Sequence, residues 1–433
     1  MSRSMSAPPA HTLVRLLLPL GLAALHAPAQ AAAGELRLTR EPVAANAAGP
    51  LAQALRLVPG LAAPVSSATT AAVEWKDARH LGADWTLDAV AQDSRRDADG
   101  AADAALVVNE GFAGGALGTD NAWQWSAGRR IVSWDVGYAF RPNDVVQQEA
   151  RRRLLSSTPP GRHLLALERF GADDALALVW VNPGHARATA PRTGAEEEAL
   201  ATRLYLRRGA LDLHGFARWG AHTRASVGAA AAWVAADDTE LHASARWMRR
   251  HDGWQSDAGA GASTLVEANP WQQASGGNAW QALIGGQWTG AAQQSLLVEA
   301  WHDGSAPSDD AWRAWRQRNA GLAAFAALPG LPADARLAAA ANLAWQATPL
   351  GGPGLRQDNV YARAAWQQER WQLSLDGLWM PADGGRVHTA QLQWQGEAWR
   401  LEAGWRVIGG PSASVAAQLP ARRSGVIAGV RSF

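Results

Sequence analysis

Trp371-Gln-Leu-Ser-Leu-Asp-Gly-Leu-Trp379 sets Trp371, Leu373, Leu375 and Trp379 against Gln372, Ser374 and Asp376. Successive side chains of a strand point to opposite faces, so this stretch reads as a strand with one apolar side. The next two stretches repeat the pattern. His388 to Trp394 places Ala390, Leu392 and Trp394 opposite Thr389, Gln391 and Gln393. Trp399 to Trp405 places Trp399, Leu401, Ala403 and Trp405 opposite Arg400, Glu402 and Gly404. Tryptophan stands at both ends of these strands. A soluble sandwich rarely needs that, whereas a membrane barrel does, because indole rings settle at the headgroup level.

Upstream, the same alternation recurs between turn signals. Strands are expected at Val73–His80, Trp85–Gln92, Ala105–Phe112, Ala122–Val132, Leu164–Phe170, Ala175–Val181, Leu200–Arg207, Leu211–Trp219, Ser226–Val234 and Glu240–Trp247. Ala279–Trp288, Ser295–His302, Val360–Gln367 and Arg423–Phe433 complete the clear set. Ser308–Arg318 reads as a capped external loop helix, with acids in its first turn and Trp312 and Trp315 on one face packing on the barrel rim. Gly321–Ala327 and Ala335–Trp345 are Ala-rich strand candidates around the Pro329-Gly-Leu-Pro332 turn. The expected fold is all-β: an antiparallel transmembrane β-barrel of about 18 strands, within a range of about 16–20.

Connection lengths alternate. Short turns fall at 171–174, 208–210, 235–238, 289–293, 328–334, 368–370 and 396–398, and long loops at 133–162, 182–199, 248–278, 303–320, 348–358 and 410–422. Outer-membrane barrels have short periplasmic turns and long external loops. Counting back from a periplasmic final strand puts every short turn on the periplasmic side. Trp219, Trp247, Trp280, Trp301, Trp345 and Trp379 then fall at external strand ends, and Trp233, Trp288, Trp366, Trp371, Trp394 and Trp399 at periplasmic ends. These twelve are the expected membrane-interface girdles.

The 433-residue chain has a formal net charge of +1 and no cysteine. Charge therefore gives no sign of a nucleic-acid partner, and disulfide frameworks, thiolate metal sites and thiol nucleophiles are excluded. No run of about 18 apolar residues occurs after the N-terminus, which excludes a transmembrane-helix protein but not a barrel. Arg3 and Arg15, the apolar Leu16–Leu25 and the Ala29-Gln30-Ala31 site form an export signal over residues 1–31. Residues 32–70 read as an irregular periplasmic or lumen-inserted segment, with Glu35–Arg40 as a possible short strand, and residues 71–433 as the barrel.

At Arg129-Arg-Ile-Val-Ser-Trp134, followed by Arg141-Pro-Asn-Asp-Val145, the chain resembles porin-like bacterial outer-membrane barrels, including the alginate-export type. The family pattern is a strand ending in basic and β-branched residues, then Trp-Gly, then Pro and Asp in the loop. Asp135 stands where the glycine is usual. The resemblance covers about 25 residues plus the general layout. It implies an outer-membrane channel whose surroundings are lipid, lipopolysaccharide and the barrel assembly machinery.

The loop 133–162 is the expected pore constriction, through Arg141, Asp144, Glu149, Arg151, Arg152 and Arg153. Loops of this kind fold into porin lumens, and arginine forks suit carboxylate and phosphate ligands. Polar-face residues expected along the lumen wall are Arg203, Arg207, Arg218, Arg246, Arg363, Asp376, Arg400, Glu402 and Arg406. Their arginine excess points to passage of a polar, anionic solute by diffusion. Mixed charges on a wall also form cross-strand ladders. An enzyme would need a site, and His242 with Ser244, two apart on one strand, is the best hydrolase pair on offer. A same-face pair often arises by chance. Neither a cofactor nor a metal is implied. A plugged structural or adhesive barrel is the remaining alternative.

Overall fold

The computed structural model describes residues 33–80, 83–98, 100–119, 121–148, 159–184, 196–257 and 265–433. The expected export signal at 1–31 lies outside them, as do Glu149, Arg151, Arg152 and Arg153. The described chain forms a closed antiparallel barrel of 18 strands. These are β1 Ala33–Glu41, β2 Ala68–His80, β3 Asp84–Arg96, β4 Ala102–Leu117, β5 Trp123–Arg130, β6 Arg162–Phe170, β7 Asp174–Val181, β8 Ala199–Arg208 and β9 Leu211–Gly220. The second half is β10 Arg224–Ala236, β11 Thr239–Met248, β12 Ala279–Thr289, β13 Gln294–Asp303, β14 Asp358–Gln368, β15 Trp371–Met380, β16 Gly385–Gln395, β17 Trp399–Gly409 and β18 Ala421–Ser432.

Closure comes from the segment expected to be irregular. β1 pairs with β18, Glu35 opposite Ser432, and with β2, Glu35 opposite Glu74. Gly34 and Phe433 exchange backbone hydrogen bonds of 3.0 and 2.9 Å. A Cβ on Gly34 would run into the Phe433 ring, so the closing aromatic packs directly over bare backbone. Without β1 the sheet would have two open edges, which a barrel in lipid does not tolerate.

The outer face follows the alternation read at Trp371–Trp379. Leu373, Leu375 and Trp379 on β15, Leu392 on β16 and Leu401 and Trp405 on β17 are exposed. Across the barrel, Leu176, Leu178 and Trp180 on β7 and Trp280 and Ile284 on β12 are exposed in the same way. A belt of exposed Leu, Ile and Trp around the whole circumference is unstable in water and suits hydrocarbon. Among the described residues, no helix is long and apolar enough to cross a membrane. The bilayer is met by strands.

Both described chain ends lie at one rim, here the terminal rim. Trp233, Trp288, Trp366, Trp371, Trp394 and Trp399 stand near that rim, and Trp219, Trp247, Trp280 and Trp379 near the far rim. Two of the twelve expected girdle tryptophans are elsewhere. Trp301 faces inward and stacks on Phe140 at 5.5 Å. Trp345 ends a helix.

The two Ala-rich strand candidates are helices. Residues 304–357 carry α2 Asp309–Ala326 and α3 Ala333–Trp345, and α1 Pro50–Leu57 precedes β2. Neither α2 nor α3 contains Val, Ile or Thr, and alanine is the strongest helix former. Ser308 caps α2, its hydroxyl accepting from Ala311 N–H at 3.2 Å. Trp312, Trp315 and Leu322 recur at helical spacing and are buried. Trp312 and Trp315 pack against Leu350, Leu355, Met380 and Val415, over the far ends of β15 to β18. Leu322, Leu343 and Ala54 join the three helices. The turn at 328–334 therefore lies beyond the far rim. Losing two strands together preserves the direction of every other strand.

Candidate functional site: the lumen and its inturned segment

Residues 131–148, between β5 and β6, run into the barrel and cross it. Their first anchor is apolar. Val132, Trp134, Val145 and Val146 pack on Leu164, Val179, Val181 and Phe216, which line the inner wall of β6, β7 and β9. Each fully buried side chain of this kind contributes roughly 1.5–3 kcal/mol. The second anchor is polar. Asn143 donates through Nδ2 to Ser244 Oγ at 2.9 Å and to the Ala229 and Ala245 carbonyls at 3.2 and 3.1 Å. Asp135 accepts from Asn143 N–H at 2.5 Å and Ser244 Oγ–H at 2.9 Å. A Cβ on Gly228 would lie 1.9 Å from Asn143 Oδ1, so the β10 wall is cut away where the segment docks.

The third anchor lies two strands further round, on β13. Glu299 of β13 is fully buried and accepts the backbone N–H groups of Tyr138 at 2.6 Å and Ala139 at 2.7 Å. His242 Nε2 lies 3.0 Å from the same carboxylate. Charge-assisted hydrogen bonds of this kind are about twice as strong as neutral ones. Phe140 stacks on Trp301, Tyr138 stacks on Tyr361 at 6.4 Å, and Arg363 donates to the Tyr138 hydroxyl.

Asp135 explains the departure from the family pattern. Its φ is +116°, a backbone region in which glycine is the easy occupant. The aspartate accepts that strain and supplies a carboxylate that fixes the turn. Burial pushes this carboxyl above its ordinary pKa, while the Asn143 N–H, the Ser244 hydroxyl and Arg141 pull it back.

The expected site residues divide into three groups. Arg141 turns back on its own segment, donating to Gly137 O at 2.8 Å and Ser133 Oγ at 2.5 Å, and Asp144 is buried in the same segment. Arg218 and Arg246 face inward but do not line open lumen. Arg218 is buried against Glu197 at 2.5 Å, and Arg246 donates to Pro142 O at 3.2 Å and Ser226 Oγ at 3.0 Å beneath the segment. The rest lie on the wall. Arg363 sits 3.7 Å from Asp376, Arg400 bridges Glu35 at 3.2 Å and Glu402 at 2.6 Å, and Arg207 pairs with Asp212 at 3.4 Å. Arg406 donates to Thr389 Oγ1 at 3.1 Å, and Arg203 lies 5.6 Å from the Tyr205 ring centroid.

His242 and Ser244 do share a face, but both are buried under the segment and occupied in seating it. Their geometry is that of anchors. Sequence reasoning missed Glu299, Tyr361 and Arg37. Glu299 is the single acid in Leu296-Leu-Val-Glu-Ala-Trp301, and an acid alone in an apolar strand was the available signal. Arg37, paired with Glu402 at 3.0 Å, was hidden in the supposed lead-in.

Because the segment packs against β6–β10 and reaches β13, the space left open lies on the other side. A cleft of about 230 Å³ is lined by Tyr138, Arg363, Gln372, Ser374, Gln391, Gln393, Arg37 and Glu402. The lining is polar and carries both signs of charge.

No protein-family model matches the chain, and no curated protein matches it in sequence. Among solved structures it is similar to a triple mutant of the Rhodopseudomonas blastica porin, with 9% identity and a TM-score of 0.43 over 93% of this chain and 99% of that one. It is also similar to OccAB2 of Acinetobacter baumannii, with 12% identity and a TM-score of 0.48 over 93% of this chain and 98% of that one.

Proposed function

We propose that the protein is an outer-membrane diffusion channel for small polar solutes, narrowed by residues 131–148. The terminal rim then faces the periplasm, and the helical cap faces outward. The supporting observation is the asymmetry inside the barrel. The segment's apolar side is spent on one wall, and the cleft beside Tyr138 is bounded by ion pairs and amides. A passage lined this way replaces part of a solute's hydration shell without binding it tightly, which is the condition for throughput.

The finer part of the proposal is a mild anion preference. Most lumen acids have an arginine partner, so the net field is set by arginines in excess. Among the described residues, no carboxylate lies within salt-bridge distance of Arg203, which stands on the wall beside Tyr205. Charges in a narrow lumen are screened less than surface charges, whose reach is about 8–10 Å at ordinary salt. Purified full-length protein in planar bilayers is expected to give discrete current steps. In asymmetric potassium chloride the reversal potential is expected to be displaced modestly toward the chloride potential, and Arg203→Gln is expected to reduce the displacement. Steps with no displacement would remove the anion preference, and absence of steps would favour a barrel plugged by its helical cap.

A further inference from the structure

The pairing registers lay out the lumen face of β14–β17 row by row. The middle row reads Ala365, Ser374, Gln391 and Gly404. It is neutral, with hydrogen-bonding side chains at its centre and almost no side chain at its flanks. The row toward the terminal rim contributes Gln372 opposite Gln393. The row toward the far rim reads Arg363, Asp376, Thr389 and Arg406: Arg363 and Asp376 are partners at 3.7 Å, and Arg406 donates to Thr389 Oγ1 at 3.1 Å. Beside the amides, Arg37 and Glu402 neutralise each other at 3.0 Å.

Tyr138 faces this wall across the cleft. Tyr138 remains 42% exposed although its backbone N–H is tied to Glu299. Its stacking on Tyr361 and the guanidinium of Arg363, 5.4 Å from the ring centroid and bonded to the hydroxyl, fix its orientation. A ring held this firmly is a platform that loses little entropy when something stacks on it.

We propose that the cleft between Tyr138 and the Gln372–Ser374–Gln391–Gln393 wall is a binding subsite for one neutral sugar ring. The proposal rests on the channel reading and names a solute class for its passage. A carboxamide offers two donors and one acceptor, matching hydroxyl groups that both donate and accept. A sugar also carries an apolar C–H face that covers an aromatic ring. An ion would gain less here, because the charges that line the cleft are already paired, Arg363 with Asp376 and Arg37 with Glu402. A volume of about 230 Å³ suits a single ring and not a folded chain.

The test is glucose added to purified full-length protein in planar bilayers, with gluconate as an acyclic anionic control. Glucose is expected to reduce the open-channel current in a saturable way, and gluconate is not expected to compete with it. Tyr138→Ala and Gln391→Leu are each expected to weaken the glucose effect at least tenfold, and Tyr138→Phe to retain it. Gln391→Leu sits on the rigid wall, so its effect cannot come from a displaced segment. Absence of saturable block in a conducting channel, or block unchanged in both weakened variants, overturns the subsite and leaves the channel reading standing. If the protein carries no salt current, the channel reading fails. Calorimetric titration of the same protein with glucose then decides the subsite, which is overturned if no saturable heat appears.

Discussion

Leu375→Arg is expected to cost about 2–4 kcal/mol of folding free energy if the residue lies near mid-bilayer, whereas Ser374→Arg leaves assembly intact. Leu375 is 54% exposed in the middle of β15, between Ala364 of β14 and Ala390 of β16. An arginine there must hold its charge in hydrocarbon or distort the bilayer. Ser374, one residue earlier, points the other way and is buried beside Gln391, to whose Oε1 it donates at 3.3 Å. An arginine at 374 can extend into the polar lumen. Heat-modifiable mobility and denaturant unfolding in lipid separate the two variants. Equal damage from both would mean that the strand register is wrong.

Release of the inturned segment carries the second large effect. Glu299→Ala removes the acceptor of two backbone N–H groups, each costing about 1–3 kcal/mol if left buried without a partner. The Tyr138–Phe140 end of the segment is then expected to leave the wall while the Trp134 end stays anchored. Single-channel conductance is expected to rise with increased current noise. Replacing residues 134–147 with a short Gly/Ser linker is expected to raise it severalfold, because none of the 18 strands uses the segment for its pairing. Unchanged conductance in both would mean that ions do not pass the segment.

Legibility in the sequence followed the physics of each element. The period-two alternation and terminal tryptophans of β15–β17 are properties of single strands, so they were readable residue by residue. The start of α2 was legible, because Ser308 and the two aspartates after it are a local capping signal and Trp312 and Trp315 share a helix face. The end of α2, from Gly321, and α3 were misread as strands because alanine counts as apolar on either period. The absence of β-branched residues from 309–326 and 333–345 was the better guide. β1 was undervalued because Glu35-Leu-Arg-Leu-Thr-Arg40 is isolated among Ala, Pro and Gly, and its partners lie at the opposite end of the chain. Trp301 was assigned by position along its strand, when its parity with Leu297 and Glu299 already placed it inside. The site was legible only as a loop of unusual length. Its anchors, Glu299, Gly228 and Ser244, are brought to it by closure of the barrel, which no local pattern encodes.

Because the chain has no cysteine, a single introduced thiol reports its own surroundings. The most direct test compares Gln391→Cys with Leu392→Cys on β16, during current recording with a water-soluble charged methanethiosulfonate. The expected result is a stepwise fall in current for Gln391→Cys, which faces the cleft beside Tyr138, and no change for Leu392→Cys, which faces lipid. No change at Gln391→Cys in a conducting channel, or equal responses at both positions, would contradict a solute path through the barrel past residues 131–148.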